Sequence, residues 1–206
     1  RLRRVVERYV DFDELPSLCT RDAPKLVVGT VDINGGEFET FVDEAVTVDA
    51  ALASAAIPTL FEAVEIDDHW HWDGLFSQNP PVKNFLDAPV ERKPDEIWVV
   101  QINPQRRDGE PRSLEEITDR RNELAGNLSL NQEIGFINQV TEWVDAGYLP
   151  RDEYRPVTVR RLELDEDLHF STQLDRSPSF VRELIAYGES RADELFDEES
   201  VDRTEP

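Results

Sequence analysis

Ala53-Ser54-Ala55-Ala56-Ile57-Pro58, and six residues later Val64-Glu65-Ile66-Asp67-Asp68-His69-Trp70-His71-Trp72-Asp73-Gly74, organise everything around them. The first segment closes a run of small residues, Asp49 to Ile57, with high helix propensity. Asp49 is placed to cap that helix and Pro58 to stop it. Small side chains let another backbone come close. The second segment alternates on both sides of Asp67-Asp68 and so predicts a hairpin, with the aspartate of Asp73-Gly74 displayed where its second strand ends. A carboxylate on a turn at a sheet edge is a common placement for a catalytic base, and a following glycine allows close approach. Taken alone, Asp-Gly reads first as a plain turn dipeptide.

Upstream, Arg1 to Val10 has helical spacing of Leu2, Val5, Val6 and Tyr9, and Pro16 is expected to end that helix. Leu26 to Ile33 reads as a buried strand, Asn34-Gly35 as a type I′ turn and Glu37 to Phe41 as the returning strand. Downstream, Asn79-Pro80-Pro81-Val82 predicts an extended loop and the segment to Leu86 a short helix. Ile97 to Ile102 is an apolar run broken only by Gln101, expected to be a parallel strand covered on both faces. After the polar loop from Asn103 to Pro111, Ser113 and Glu116 have capping-box spacing. One helix is expected from Leu114 to about Leu124. A second follows Gly126, from Leu128 to Asp145, and stops at Gly147. Arg155 to Leu164 reads as an edge strand, and Ser177 opens a final helix to about Phe196. Alternating strands and helices make the class α/β.

Composition removes several alternatives. The 206 residues carry 45 Asp and Glu against 22 Lys and Arg, a formal net charge of −23, and the lysines are Lys25, Lys83 and Lys93. Such a surface repels phosphate backbones, so nucleic acid is not an expected partner. Self-repulsion of this size costs stability in dilute buffer and is screened in molar salt, which predicts a salt-adapted, halophilic protein; an ordinary acidic soluble protein is the alternative. No apolar run approaches the roughly 20 residues of a spanning helix. The single Cys19 excludes an internal disulfide and a cysteine-based zinc module. The chain has no Met and opens in mid-helix, so it is expected to be the carboxy-terminal part of something longer.

In order and spacing, Ala53-Ser-Ala-Ala-Ile-Pro58, Phe61, Trp72-Asp-Gly74 and Asn79-Pro-Pro-Val82 resemble the carboxy-terminal half of the patatin-like phospholipase family. The Leu26 to Ile33 strand and its Asn34-Gly35 turn fit as well. The resemblance covers residues 1 to 105, taken as the carboxy-terminal part of a hydrolase domain; residues 106 to 206 are expected to be a mainly helical extension with one edge strand, packed on the same domain. It implies a three-layer α/β sandwich with a largely parallel sheet, here incomplete at the amino end, and lipid acyl-ester hydrolysis by a serine–aspartate dyad. Asp73 matches the dyad aspartate and Gly74 the catalytic turn; Leu75 departs from the family's small residue. The family's nucleophile lies in Gly-Xaa-Ser-Xaa-Gly, downstream of a glycine-rich oxyanion loop, and no serine here is flanked in that way. Ser54 is read as a packing or backbone-bonding residue. The chain alone is therefore expected to be inactive. A lipid or acyl ester is the implied partner and no cofactor is implied; calcium dependence is not expected. The implied location is the cytoplasm, with transient contact at a membrane surface.

A non-catalytic lipid-binding or scaffold domain of the same fold is the competing reading. A third uses His69 and His71, which share a strand face, as metal ligands with Asp67 and His169 in reserve. Against it stands a hairpin whose Trp rings pack inward and whose imidazoles are solvated, favoured because a catalytic zinc site needs three protein ligands. Arg120-Arg121 and Arg160-Arg161 are expected to pair with carboxylates. Phe136, Ile137, Val140, Trp143 and Val144 are read as an apolar core stripe; Phe180, Leu184 and Tyr187 are read as docking residues.

Overall fold

A computed structural model describes residues 1–20, 23–58, 60–76, 81, 93–164, 172 and 175–202, with side chains described as far as Phe196. The chain divides into two compact units, residues 1–95 with 124–157, and residues 96–123 with 158–206.

In the first unit, α1 (Leu2–Tyr9) and the short α2 (Leu15–Leu18) precede β1 (Val27–Asp32) and β2 (Glu37–Val42). Helix α1 ends where Val10 turns extended; Pro16 lies in the first turn of α2 and so starts a helix instead of ending one. Its fixed φ and missing N–H suit that position. Then come α3 (Val48–Ala53), β3 (Val64–Ile66) and β4 (His69–Asp73). The cap of α3 is Thr47, whose hydroxyl accepts the Ala50 N–H, while Asp49 turns outward to pair with Arg3. The helix stops at Ala53, and Ser54 Oγ donates to the Ala51 carbonyl at 3.0 Å, the backbone bond expected of it.

The sheet order is β2-β1-β4-β3, and each neighbouring pair is antiparallel. This corrects the expectation of a largely parallel sheet for these strands. Two short loops, residues 33–36 and 67–68, join the hairpin pairs, and loops of that length can only return the chain antiparallel. The two turns exchange roles with the sequence reading. The 33–36 loop is not the type I′ turn expected at Asn34-Gly35: its left-handed residue is Gly36, and the Asp32 carboxylate collects the Asn34 and Gly35 N–H groups at 2.8 and 3.0 Å. The two-residue loop Asp67-Asp68 has positive φ at both positions, 49° and 65°, the pattern of a type I′ turn.

Phe41, Val46 and Ala50 form a buried cluster, flanked by Phe12, Leu15, Val28 and Ile66. Helix α4 (Leu114–Asp145) is continuous, so Gly126 does not separate two helices. An ideal Cβ at Gly126 would stand 2.5 Å from Leu75 Cδ1; the glycine makes room for that side chain. Of the expected stripe, Ile137 and Val144 are buried together with Leu130 and Ile134, whereas Phe136 and Trp143 lie on the exposed side of the helix. The start and stop of α4 are as expected: Ser113 and Glu116 form a reciprocal capping box, and Gly147 has φ of 77°.

In the second unit, β5 (Glu96–Gln101) and β6 (Thr158–Glu163) pair in parallel, and α5 (Pro178–Asp202) follows. The parallel pairing of β5 agrees with its apolar run, but its burial does not: Val100 is 70% exposed and Trp98 is 42% exposed. Arg160 and Arg161 meet Glu96 and Glu163, and Arg120 meets Glu123, the carboxylate pairing expected of these arginines. Arg107 bridges the buried Asp119 and Glu123 at 2.7 and 2.6 Å.

Candidate functional site

Asp73 is the last residue of β4, opposite Thr30 of β1. Its backbone N–H donates to the Ala56 carbonyl at 3.1 Å, which ties the small-residue helix end directly to the strand end. Ala53 and Ala56 are buried, so this approach depends on their size. Immediately after Asp73, residues Gly74–Phe76 make one 3-10 turn. A Cβ at Gly74 would lie 3.2 Å from the Gly29 carbonyl oxygen and 3.0 Å from the Phe38 ring. A side chain there would crowd the Gly29 backbone, which yields less readily than a side-chain tip.

The Asp73 carboxylate is half-buried and accepts the Leu75 N–H at 3.1 Å. Burial lifts its pKa to about 6, against a small lowering from that hydrogen bond. A carboxyl titrating near neutrality can take and return a proton at working pH, which is what general-base chemistry demands. Leu75 is buried against Gly126, so the large residue after Asp73-Gly74 has its space supplied by α4.

His69 and His71 do share a strand face, but they are engaged separately. His69 Nδ1 lies 2.6 Å from Asp32 Oδ2. That contact raises the imidazole pKa through the hydrogen bond and the carboxylate charge. Asp32 itself falls to about 2, held down first by the Gly35 N–H, then by His69. His71 is 1% exposed and Trp70 is 44% exposed, which corrects the picture of inward Trp rings and solvated imidazoles at these two residues, whereas His69 is exposed and Trp72 partly buried. The physical reason is register: His71 faces Asp32 and Val64 on the side that α3 covers, and Trp70 alternates to the other. Among the described residues no group of three His, Cys, Asp or Glu is arranged to hold a metal. Asp67 is consumed by the hairpin turn; His169 lies outside the described residues, as do Asn79, Pro80, Val82 and the expected helix to Leu86. Phe61, part of the same sequence pattern, is exposed.

The partners of His71 were not legible beforehand. Thr30 and Glu39 lie 41 and 32 residues away in sequence and meet His71 only through the β2-β1-β4 order. In the second unit, Phe180, Leu184 and Tyr187 line a cavity of about 460 Å³ with Val100, Ile102 and Leu164, which gives these expected docking residues a surface to face. No helix among the described residues is long and apolar enough to cross a membrane.

A search of curated proteins gives no match. Residues 14–86 match the family model described as patatin-like phospholipase, a span that includes β1 to β4, the helix end at Ala56 and the Asp73-Gly74 turn. Over residues 14–86 the chain is therefore similar to the patatin-like phospholipases.

Proposed function

We propose that this chain contributes the base of a serine–aspartate lipid acyl-ester hydrolase, with Asp73 as that base and the serine in a segment outside these 206 residues. The observation that carries the reading is the Asp73 carboxyl itself: desolvated, poised near pH 6, on a strand-end turn whose glycine permits close approach. In the acylation step the serine oxygen attacks the ester carbonyl carbon and its proton passes to Asp73. The carbon–oxygen bond to the alcohol breaks as Asp73 returns that proton to the leaving oxygen. Water then attacks the acyl-serine, Asp73 takes its proton, and the serine oxygen leaves with it as the free carboxylic acid departs. No metal or other cofactor enters these steps.

The test is acyl-ester turnover by the protein from its natural source in molar KCl, compared with Asp73→Asn. A loss of about 10²-fold or more is expected, the scale of a positioned general base. Loss of only a few-fold removes Asp73 from the chemistry. The 206-residue chain by itself is expected to give no serine-dependent turnover.

A specific observation favours a second reading, a non-catalytic lipid-binding domain: the cavity of about 460 Å³ in the second unit exposes Val100, Ile102, Leu164, Phe180 and Leu184 beside charged residues such as Arg107 and Arg191, and its size is in the ordinary range for small-molecule sites. Under that reading a fluorescent fatty acyl probe binds the 206-residue chain, Leu184→Trp weakens it, and Asp73→Asn does not.

A further inference from the structure

Beside Asp73, on the same face of the antiparallel sheet, lies a buried polar group that this hydrolytic scheme leaves idle. Thr30 is fully buried and His71 is 1% exposed. Thr30 Oγ1 stands 3.1 Å from His71 Nδ1, and Glu39 Oε2 faces His71 Nε2 at 3.7 Å. Hydroxyl, imidazole and carboxylate thus follow one another in the order of a nucleophile, its base and an orienting acid. The burial of Thr30 denies it any substrate, so this line has another use.

Its neighbours bias which way its protons point. The Glu39 charge, 3.7 Å from Nε2 and beyond hydrogen-bond range, favours the tautomer that carries its hydrogen on Nε2. Nδ1 is then an acceptor, and the Thr30 hydroxyl donates to it. Thr30 is also the residue directly opposite Asp73 in the β1–β4 register. Directly opposed residues on one face have Cβ atoms about 4.5–5.5 Å apart, within reach of one another's polar tips. A hydroxyl has one proton to give. Given to His71, it is not available to Asp73, whose carboxylate keeps the Leu75 N–H as its donor.

We infer that His71, oriented by Glu39, is a positioning residue for Asp73: it holds the Thr30 hydroxyl proton away from the carboxylate and so preserves its basicity. The inference rests on the reading of Asp73 as the base. A carboxylate that accepts additional hydrogen bonds becomes a weaker base, because each bond favours the charged form. The ionisable groups on this face are Asp32 and Glu37, paired across β1 and β2, Glu39, and His69, which is bound to Asp32. Helix α3, packed against β4, brings Ala50 and Ala53.

The test follows the Asp73 carboxyl carbon by ¹³C NMR titration of the 206-residue chain in molar KCl, assigned by its loss in Asp73→Asn. Thr30→Val is expected to leave the Asp73 midpoint where it was, since that hydroxyl is engaged elsewhere. His71→Phe frees the hydroxyl, and the midpoint falls by about 1 unit. Adding Thr30→Val to His71→Phe restores it, a sign that general loosening of the strand would not produce. Imidazole ¹⁵N shifts of the unaltered chain should show the Nε2–H tautomer at His71, a readout that needs no variant to fold. A Thr30→Val midpoint raised by about 1 unit, a folded His71→Phe with no change, or an Nδ1–H tautomer each overturns the inference. Turnover is scored apart: hydrolysis insensitive to Asp73→Asn removes the base reading and leaves the titration standing.

Discussion

Ionising Asp73 inside the fold takes a carboxylate out of water with the Leu75 N–H to receive it, and the resulting pKa of about 6 has a consequence for stability. The folded value lies above that of the unfolded chain. The stability contributed by this group is therefore fully present below about pH 4 and is lost as pH rises through 6. Asp73→Asn removes the titration, so at pH 7 the variant should melt higher than the parent, by about 1–2 kcal/mol once solvent screening is allowed for. The difference should shrink to near zero by pH 4, measured by thermal denaturation in constant salt. Asp32 has the opposite sign. Its pKa of about 2, depressed by the Gly35 N–H and by His69, means a contribution present above about pH 4 and lost as pH falls toward 2. Asp32→Asn should lower Tm at pH 7, and the two melting curves should converge across that acidic window.

At the scale of elements, the hairpins set the antiparallel sheet, and their turns can be tested. Asp67-Asp68 adopts a conformation that Asn-Gly or Asp-Gly fills without strain, so Asp68→Gly should stabilise the chain by about 0.5–1 kcal/mol in a denaturant titration. Gly126 presents the reverse case. In an ordinary helix interior Gly→Ala gains about 1 kcal/mol. Here the new methyl group meets Leu75 at 2.5 Å, and Gly126→Ala should instead destabilise by about 1–3 kcal/mol. In a Leu75→Ala background the same change should become stabilising, a reversal that a double-mutant cycle reads directly. These two sites also show what was legible in sequence. The hairpin at Asp67-Asp68 and the capping box at Ser113 follow from local pattern, because their bonds lie within a few residues, whereas the parallel strand at Ile97 was read from its apolar run and its partner β6 stands far along the chain. Gly126 misled because a glycine looks like a helix break until its distant neighbour Leu75 is known. His71 was read as solvated for the same reason: alternation says which residues share a face, and only the strand order says which face is covered. Asp73-Gly74 was singled out through its ordered neighbours, whereas its elevated pKa depends on burial that no local pattern records.

For the whole molecule, a formal charge of −23 dominates, and it is spread along the sequence. We propose that the fold is adapted to high salt. Tm should rise steadily from low to molar KCl as the Debye length falls from about 10 Å at 0.1 M to about 3 Å at 1 M. A flat or falling series would mean an ordinary acidic protein. The span matched by the patatin-like phospholipase model, residues 14–86, lies wholly in the first compact unit, with the Asp73 turn near its end. The central claim is that this carboxylate serves an activated serine. It is tested most directly by fluorophosphonate labelling of the natural-source protein in molar KCl, read by intact mass, with acyl-ester turnover of wild type and Asp73→Asn alongside. The account predicts a serine-labelled species heavier than 23.7 kDa, and a loss of turnover of about 10²-fold or more in a variant at least as stable as the parent. An unlabelled protein, or an Asp73→Asn variant that turns over within a few-fold of wild type, would contradict it.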